Sequence, residues 1–279
     1  MKRVGYLGPK GTFSHEALKK YIGQEECISI DFASIPEIFM AFAQDILDEA
    51  VVPMENSIEG AVSATMDMIS QGTGLMIKAE IIIPVRACLL AKNGADISGI
   101  RYVLSHPQPL GQCRMFLSSR MPHALTKVAS STTAAAEEVA AGCGDSAAIA
   151  SKTAAEVYGL EVLKEDIQDY DNNFTRFIVI SKSDAARTGN DKTSIVFSTE
   201  DKPGSLYRVL DIFNLWDINM TRIESRPAKN KLGRYVFFVD IEGHREDEAL
   251  RDALTMVKRK TSFLRILGSY PVSPASEKT

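Results

Sequence analysis

Short apolar runs alternate with amphipathic segments from residue 1 to about residue 180, the pattern of an α/β arrangement with mostly parallel strands. The first run, 4–7, reads as a strand. A helix follows over 12–21, with Ala17, Leu18, Tyr21 and Ile22 on one face and Gly23 as its stop. Ser34, Ile35, Pro36 and Glu37 have the spacing of a capping box, which predicts a helix running through Phe39 and Phe42. Residues 51–53 form a brief strand, 78–92 is apolar and β-branched enough for buried strands, and 102–104 is another strand ending in a loop. Hydroxyls at 130–133 suit the start of an alanine-rich helix over 134–141, and 147–150 and 177–180 complete the alternation.

The pattern changes near residue 181. Residues 181–191 are small and polar without apolar periodicity, so a linker over 182–192 separates a unit at 1–181 from one at 193–270, with a tail at 271–279. The second unit reads strand 193–198, helix 204–215, strands 218–225 and 234–241, helix 246–259 and strand 263–269. Leu206, Val209, Leu210 and Phe213 keep helical spacing, as do Ala249, Leu250, Ala253, Leu254 and Val257. The order is βαββαβ, a ferredoxin-like fold.

A chain of 279 residues exceeds the size of a single core, in agreement with that division. Hydrophobic residues make up 45% and charged residues 24%, the balance of a globular protein. A formal charge of -4 supplies no basic stripe for a phosphate backbone, which argues against nucleic acid but leaves an anionic small molecule open to local arginines. Cys27, Cys88, Cys113 and Cys143 lie far apart and form no Cys-x-x-Cys pair, so reduced thiols are expected rather than a zinc site or a disulfide framework. Met1 to Gly8 runs straight into a strand without the apolar segment of a secretory signal, and no stretch is long enough to span a bilayer. A cytoplasmic protein without membrane contact is expected.

Four polar clusters stand where apolar strands stop, the place where open α/β sheets bind ligands. The first runs from Gly8 through Pro9, Lys10, Gly11, Thr12 and Phe13 to Ser14, a loop opening a helix whose free amides could face an anion. The second spans 53–60 and contains Glu55, Asn56 and Ser57; the third spans 105–113 and contains Ser105, His106 and Gln112. Each of these is equally readable as a turn or a helix cap. The fourth, 171–177, places Phe174, Thr175 and Arg176 directly before an apolar strand, a hydroxyl beside a carboxylate-binding guanidinium.

Taken in order, GPKGTFS, PMENSIEGAVSAT, SHPQPLGQC, STTAAA and DNNFTRF resemble the catalytic domain of prephenate dehydratases, and PGSLYRVL with IESRP resembles the ACT domain attached to them. The likeness covers nearly all of 1–270. It implies two α/β lobes like those of type II periplasmic binding proteins, one from 1–75 with 160–181 and one from 76–159, with the site in the cleft between them. It implies Thr175 as the donor to a departing ring hydroxyl and Arg176 as a carboxylate clamp. Glu55, Asn56, Ser105 and Gln112 would share the catalytic geometry, and Ser57, Thr12 and Phe174 would bind substrate. The reaction implied is conversion of prephenate to phenylpyruvate without a cofactor or metal, in which aromatisation supplies the drive and the enzyme aligns the substrate and assists the leaving group. Gly204, Ser205, Leu206, Glu224, Ser225 and Arg226 would hold L-phenylalanine between ACT domains of a homo-oligomer, a dimer or tetramer, and mediate feedback inhibition. An arogenate dehydratase and a non-catalytic amino-acid sensor are the alternative readings.

Overall fold

In the computed structural model, which describes residues 1–228 and 235–273, three sheets follow one another along the chain. Residue 234, expected to open a strand, and 274–279 of the expected tail lie outside the described residues. The first sheet takes β1 (Lys2–Leu7), β2 (Cys27–Phe32), β3 (Glu49–Asn56), β4 (Gly60–Ala61) and β5 (Met76–Pro84). The second takes β6 (Cys88–Ala91), β7 (Tyr102–Ser105), β8 (Leu125–Val128), β9 (Ser146–Ala150) and β10 (Glu161–Lys164). The chain then returns to the first sheet as β11 (Phe174–Ser181) before forming the third with β12 (Asp191–Ser198), β13 (Met220–Pro227), β14 (Tyr235–Glu242) and β15 (Phe263–Pro271).

Helices α1 (Phe13–Ile22), α2 (Ile35–Ala43) and α3 (Ser63–Ser70) lie between strands of the first lobe. Those of the second are α4 (Pro107–Gln112), α5 (Arg114–Arg120), α6 (Thr132–Ala141) and α7 (Lys152–Tyr158), and the third unit has α8 (Ser205–Leu215) and α9 (Glu248–Lys260). Hydroxyls start four of them. Thr12, Ser34, Ser131 and Ser151 accept from the amides of His15, Glu37, Ala134 and Ala154, satisfying donors that a helix start leaves open.

Two expectations need correction. The first two sheets are mixed rather than mostly parallel: β1 runs parallel to β2 and β3, but β11 is antiparallel to both of its neighbours, β3 and β5, and in the second sheet β6 is antiparallel to β9 and β10. The lobe boundaries also move. Strand β5 bonds β11 and so belongs to the first lobe, while β10 bonds β6 and belongs to the second. The lobes are therefore 1–84 with 174–181, and 88–164. The physical reason is the place of β11, which enters the sheet between two strands made a hundred residues earlier.

The third sheet, ordered β13-β14-β12-β15, is antiparallel and carries α8 and α9 against one face, as the βαββαβ pattern predicts. Among the described residues its other face carries no helix of this unit. Val196, Phe238, Leu267 and Tyr270 instead join Met66, Ile77, Ile178 and Ile180 of the first lobe in one apolar cluster. Glycine at 268 permits this approach, because a Cβ there would stand 2.2 Å from the Ile77 carbonyl oxygen. The linker is pinned as well: Asp184 pairs with Arg245 and Arg187 with Asp247. No helix among the described residues is long and apolar enough to cross a membrane.

Candidate active site

Strand β11 organises the site. Its register sets Thr175 opposite Asn56 and Arg176 opposite Glu55, and a bulge follows, since the next residue, Phe177, pairs with Pro53. Side chains alternate across a strand, so the Thr175–Asn56 pair and the Arg176–Glu55 pair point to opposite faces of the sheet.

On the Thr175 face, Asn56 Nδ2 donates to Thr175 Oγ1 at 2.9 Å and to Asn173 Oδ1 at 2.7 Å. Asn56 Oδ1 accepts from the amides of Ile58 and Glu59, which fixes which end of the amide faces Thr175. Asn173, 5% exposed, passes the chain on by donating to Gln112 Oε1 of the second lobe at 3.2 Å. It sits where the two lobe crossings are stitched together, its carbonyl accepting from Val85 N at 2.8 Å. Ser57 secures the same turn, donating to the Asn172 carbonyl and accepting from Phe174 N. Thr175 thus has an oxygen lone pair engaged by Asn56, and among the described residues its hydroxyl proton has no acceptor. A hydroxyl held in this way is free to donate.

The opposite face meets the third sheet. Arg176, 8% exposed, lies 2.5 Å from Asp240, 2.9 Å from Glu80 and 3.3 Å from Glu55, and donates to the Tyr270 hydroxyl at 2.8 Å. Arg222 Nε lies 2.5 Å from Glu55, and Lys192 2.9 Å from Glu80. Burial opposes the Arg176 charge, but the Tyr270 hydroxyl, Asp240 and Glu80 outweigh it and hold the guanidinium well above its ordinary value. Burial likewise opposes the Asp240 charge, yet Arg176 and the Ser194 hydroxyl draw the carboxyl below its usual range. Three cations and three carboxylates therefore balance around a cavity of about 430 Å³, which Asn56, Ser57, Phe174, Thr221 and Ile82 also line.

This geometry revises the expected roles. Arg176 is engaged by the protein's own carboxylates and is no free clamp, and Phe174 faces the interdomain cavity with it. The signal was present in the sequence, since consecutive strand residues cannot share a face. Ser105 is fully buried and donates to the Ile149 carbonyl at 2.6 Å, a bond within the second sheet rather than a cleft contact. Thr12 is used as the cap of α1, donating to the Pro9 carbonyl at 2.9 Å. Its loop reaches the second lobe through Gly11, whose carbonyl accepts from Ser151. Asn173, Glu80, Lys192, Arg222, Asp240 and Tyr270 were not assigned from sequence. Among the described residues no cluster of His, Cys, Asp and Glu is arranged to hold a metal ion.

In the third unit, Gly204, Ser205 and Leu206 line a cavity of about 330 Å³ with Glu200, Tyr235 and Phe237. Ser225 pairs with Phe237 and shares its face, whereas Glu224 pairs with Phe238, whose side chain packs toward the first lobe. Arg226 faces that way too and lies 3.4 Å from Asp67. Within one chain, Glu224 and Arg226 are thus across the sheet from the Gly204 cavity.

A two-lobed α/β unit with a hydroxyl at the lobe crossing, followed by a ferredoxin-like unit, defines the class of protein. A family model for prephenate dehydratase matches residues 4–185, and one for the ACT domain matches 193–255. Prephenate dehydratase of Methanocaldococcus jannaschii is 42% identical over 278 residues, covering 97% of this chain and 98% of that protein. The structure of prephenate dehydratase from Arthrobacter aurescens in complex with L-Phe superposes with a TM-score of 0.88 at 37% identity, covering 98% and 92% of the two chains. A quorum quenching acylase, GqqA, also has a TM-score of 0.88, at 28% identity over 98% of this chain and 99% of its own, so the fold alone does not fix the reaction. The chain belongs to the prephenate dehydratase family, hydro-lyases, with an ACT domain at its C-terminal end.

Proposed function

We propose that the protein converts prephenate to phenylpyruvate, with Thr175 as the proton donor. The observation that carries this reading is the Asn56–Thr175 hydrogen bond, which engages one lone pair of the threonine oxygen and leaves its proton available to donate. As the ring C–O bond breaks, the ring carboxylate leaves as carbon dioxide and its bonding electrons close the aromatic ring. The departing hydroxide takes the Thr175 proton and leaves as water, and solvent returns a proton to the threonine. Asn56, Asn173 and Gln112 hold donor and lobes in register, so preorganisation carries much of the effect.

The test is purified protein with prephenate and no added cofactor, followed by phenylpyruvate formation; absence of turnover would remove the assignment. Arogenate in parallel decides between the keto and amino substrates, which no residue on either face of β11 distinguishes.

In the same reading the reaction is cytoplasmic, serves L-phenylalanine synthesis and is inhibited by L-phenylalanine bound beside Gly204, Ser205 and Leu206. That cavity falls within the size range of small-molecule sites. Strand β13 is a sheet edge, able to pair with a second copy and bring its Ser225 face to the cavity in a homodimer or tetramer.

A further inference from the structure

The strand pair that carries the proposed chemistry is gripped from behind by the regulatory domain. Thr175 and Asn56 face the lobe crossing, and the residues next to them in the chain, Arg176 and Glu55, face the ACT sheet. There Asp240 on β14 and Arg222 on β13 are cross-strand partners, and each takes one of the two: Asp240 lies 2.5 Å from Arg176, and Arg222 2.5 Å from Glu55. Arg176 and Glu55 lie 3.3 Å apart and close a ring of four alternating charges. Asp240 is 2% exposed and is further held by the Ser194 hydroxyl. The ring sits at the β3 bulge, where the ladder between β3 and β11 is interrupted and backbone pairing fixes the strands least.

We propose that Asp240 and Arg222 are positioning residues for dehydration, setting the relative placement of β3 and β11 and hence the Asn56–Thr175 geometry. The ACT domain is then part of the active site's scaffold as well as a sensor. This rests on the assignment of Thr175 above. Each acts through the chain neighbour of a residue proposed to touch substrate. A donor displaced by a fraction of an ångström loses its effect on the leaving group before substrate binding suffers.

The experiment uses the full chain. Asp240→Asn keeps the side-chain shape and removes the charge; it should lower kcat about tenfold while KM stays within about twofold. Arg222→Gln should act similarly, and Arg222→Lys should recover part of the loss. Val257→Ala removes buried atoms from the helical side of the same domain and serves as the control for general destabilisation. It should lower the melting temperature and leave kcat unchanged. Hydrogen exchange of the segment 174–181 should rise in Asp240→Asn and not in Val257→Ala. A kcat for Asp240→Asn close to that of the parent, or an equal loss in Val257→Ala at matched melting temperature, overturns the proposal. Should the parent chain fail to turn over prephenate, the functional reading falls, and unchanged exchange at 174–181 in Asp240→Asn would overturn the positioning role independently.

Discussion

Gly268→Ala tests whether the two domains are held as one body. A methyl group at this position would stand 2.2 Å from the Ile77 carbonyl oxygen, 2.8 Å from its nitrogen and 2.9 Å from its carbonyl carbon. Comfortable non-bonded separation is about 3.5 Å, so relief requires β15 and β5 to part by about 1.3 Å. No flexible side chain can absorb this, because the three nearest atoms are all backbone. The movement would draw Leu267 and Tyr270 away from the shared cluster and Tyr270 from Arg176. Overpacking typically costs 1–3 kcal/mol, and with backbone as the obstacle about 3 kcal/mol is expected. For a unit of this size that lowers the melting temperature by roughly 6–12 °C. Thermal unfolding of both proteins measures it, with prephenate turnover below the transition reporting the loss at Arg176. A melting temperature unchanged within about 2 °C, with full turnover, would refute the close packing of β15 on β5.

Thr175→Ala should reduce kcat by about 100-fold or more while costing only about 1 kcal/mol of stability, since one hydrogen bond is lost; Thr175→Ser should retain activity, and a folded, active alanine variant would exclude Thr175 as donor. Burial, then the nearby Lys19 and Lys10 charges, lower the pKa of His15, whose Nδ1 accepts from Gly11 N. The folded state therefore binds this proton less readily than the unfolded state, so the contribution is complete above about pH 6.5 and fades as pH falls through the lower folded value; an NMR titration placing His15 at or above 6.5 would contradict it. Leu206→Ala should raise the phenylalanine concentration for half-inhibition about tenfold through lost apolar contact, with uninhibited turnover intact. Identical inhibition curves would move the effector elsewhere.

Local order was legible in the sequence because local rules govern it. Ser34 and Ser131 start the helices their spacing predicts, and the βαββαβ succession after residue 190 forms the third sheet with α8 and α9 on one face. The segments containing Asn56, Gln112 and Thr175 were picked out as polar interruptions beside apolar strands, and the fold joins them through Asn173. Even the split between Thr175 and Arg176 follows from the two-residue period of a strand.

Tertiary structure decided everything that depended on partners far along the chain. Whether 76–84 belongs to one lobe or the other turns on β11, which inserts beside it from residue 174 onward and makes the sheet mixed. Ser105, polar and loop-adjacent by sequence, is buried because β7 lies inside the second sheet and the Ile149 carbonyl takes its proton. Arg176 reads as a substrate clamp until Asp240, 64 residues later, and Glu80 are brought to it. Charge pairing in a desolvated interface depends on distance in space, and separation along the chain carries no record of that distance.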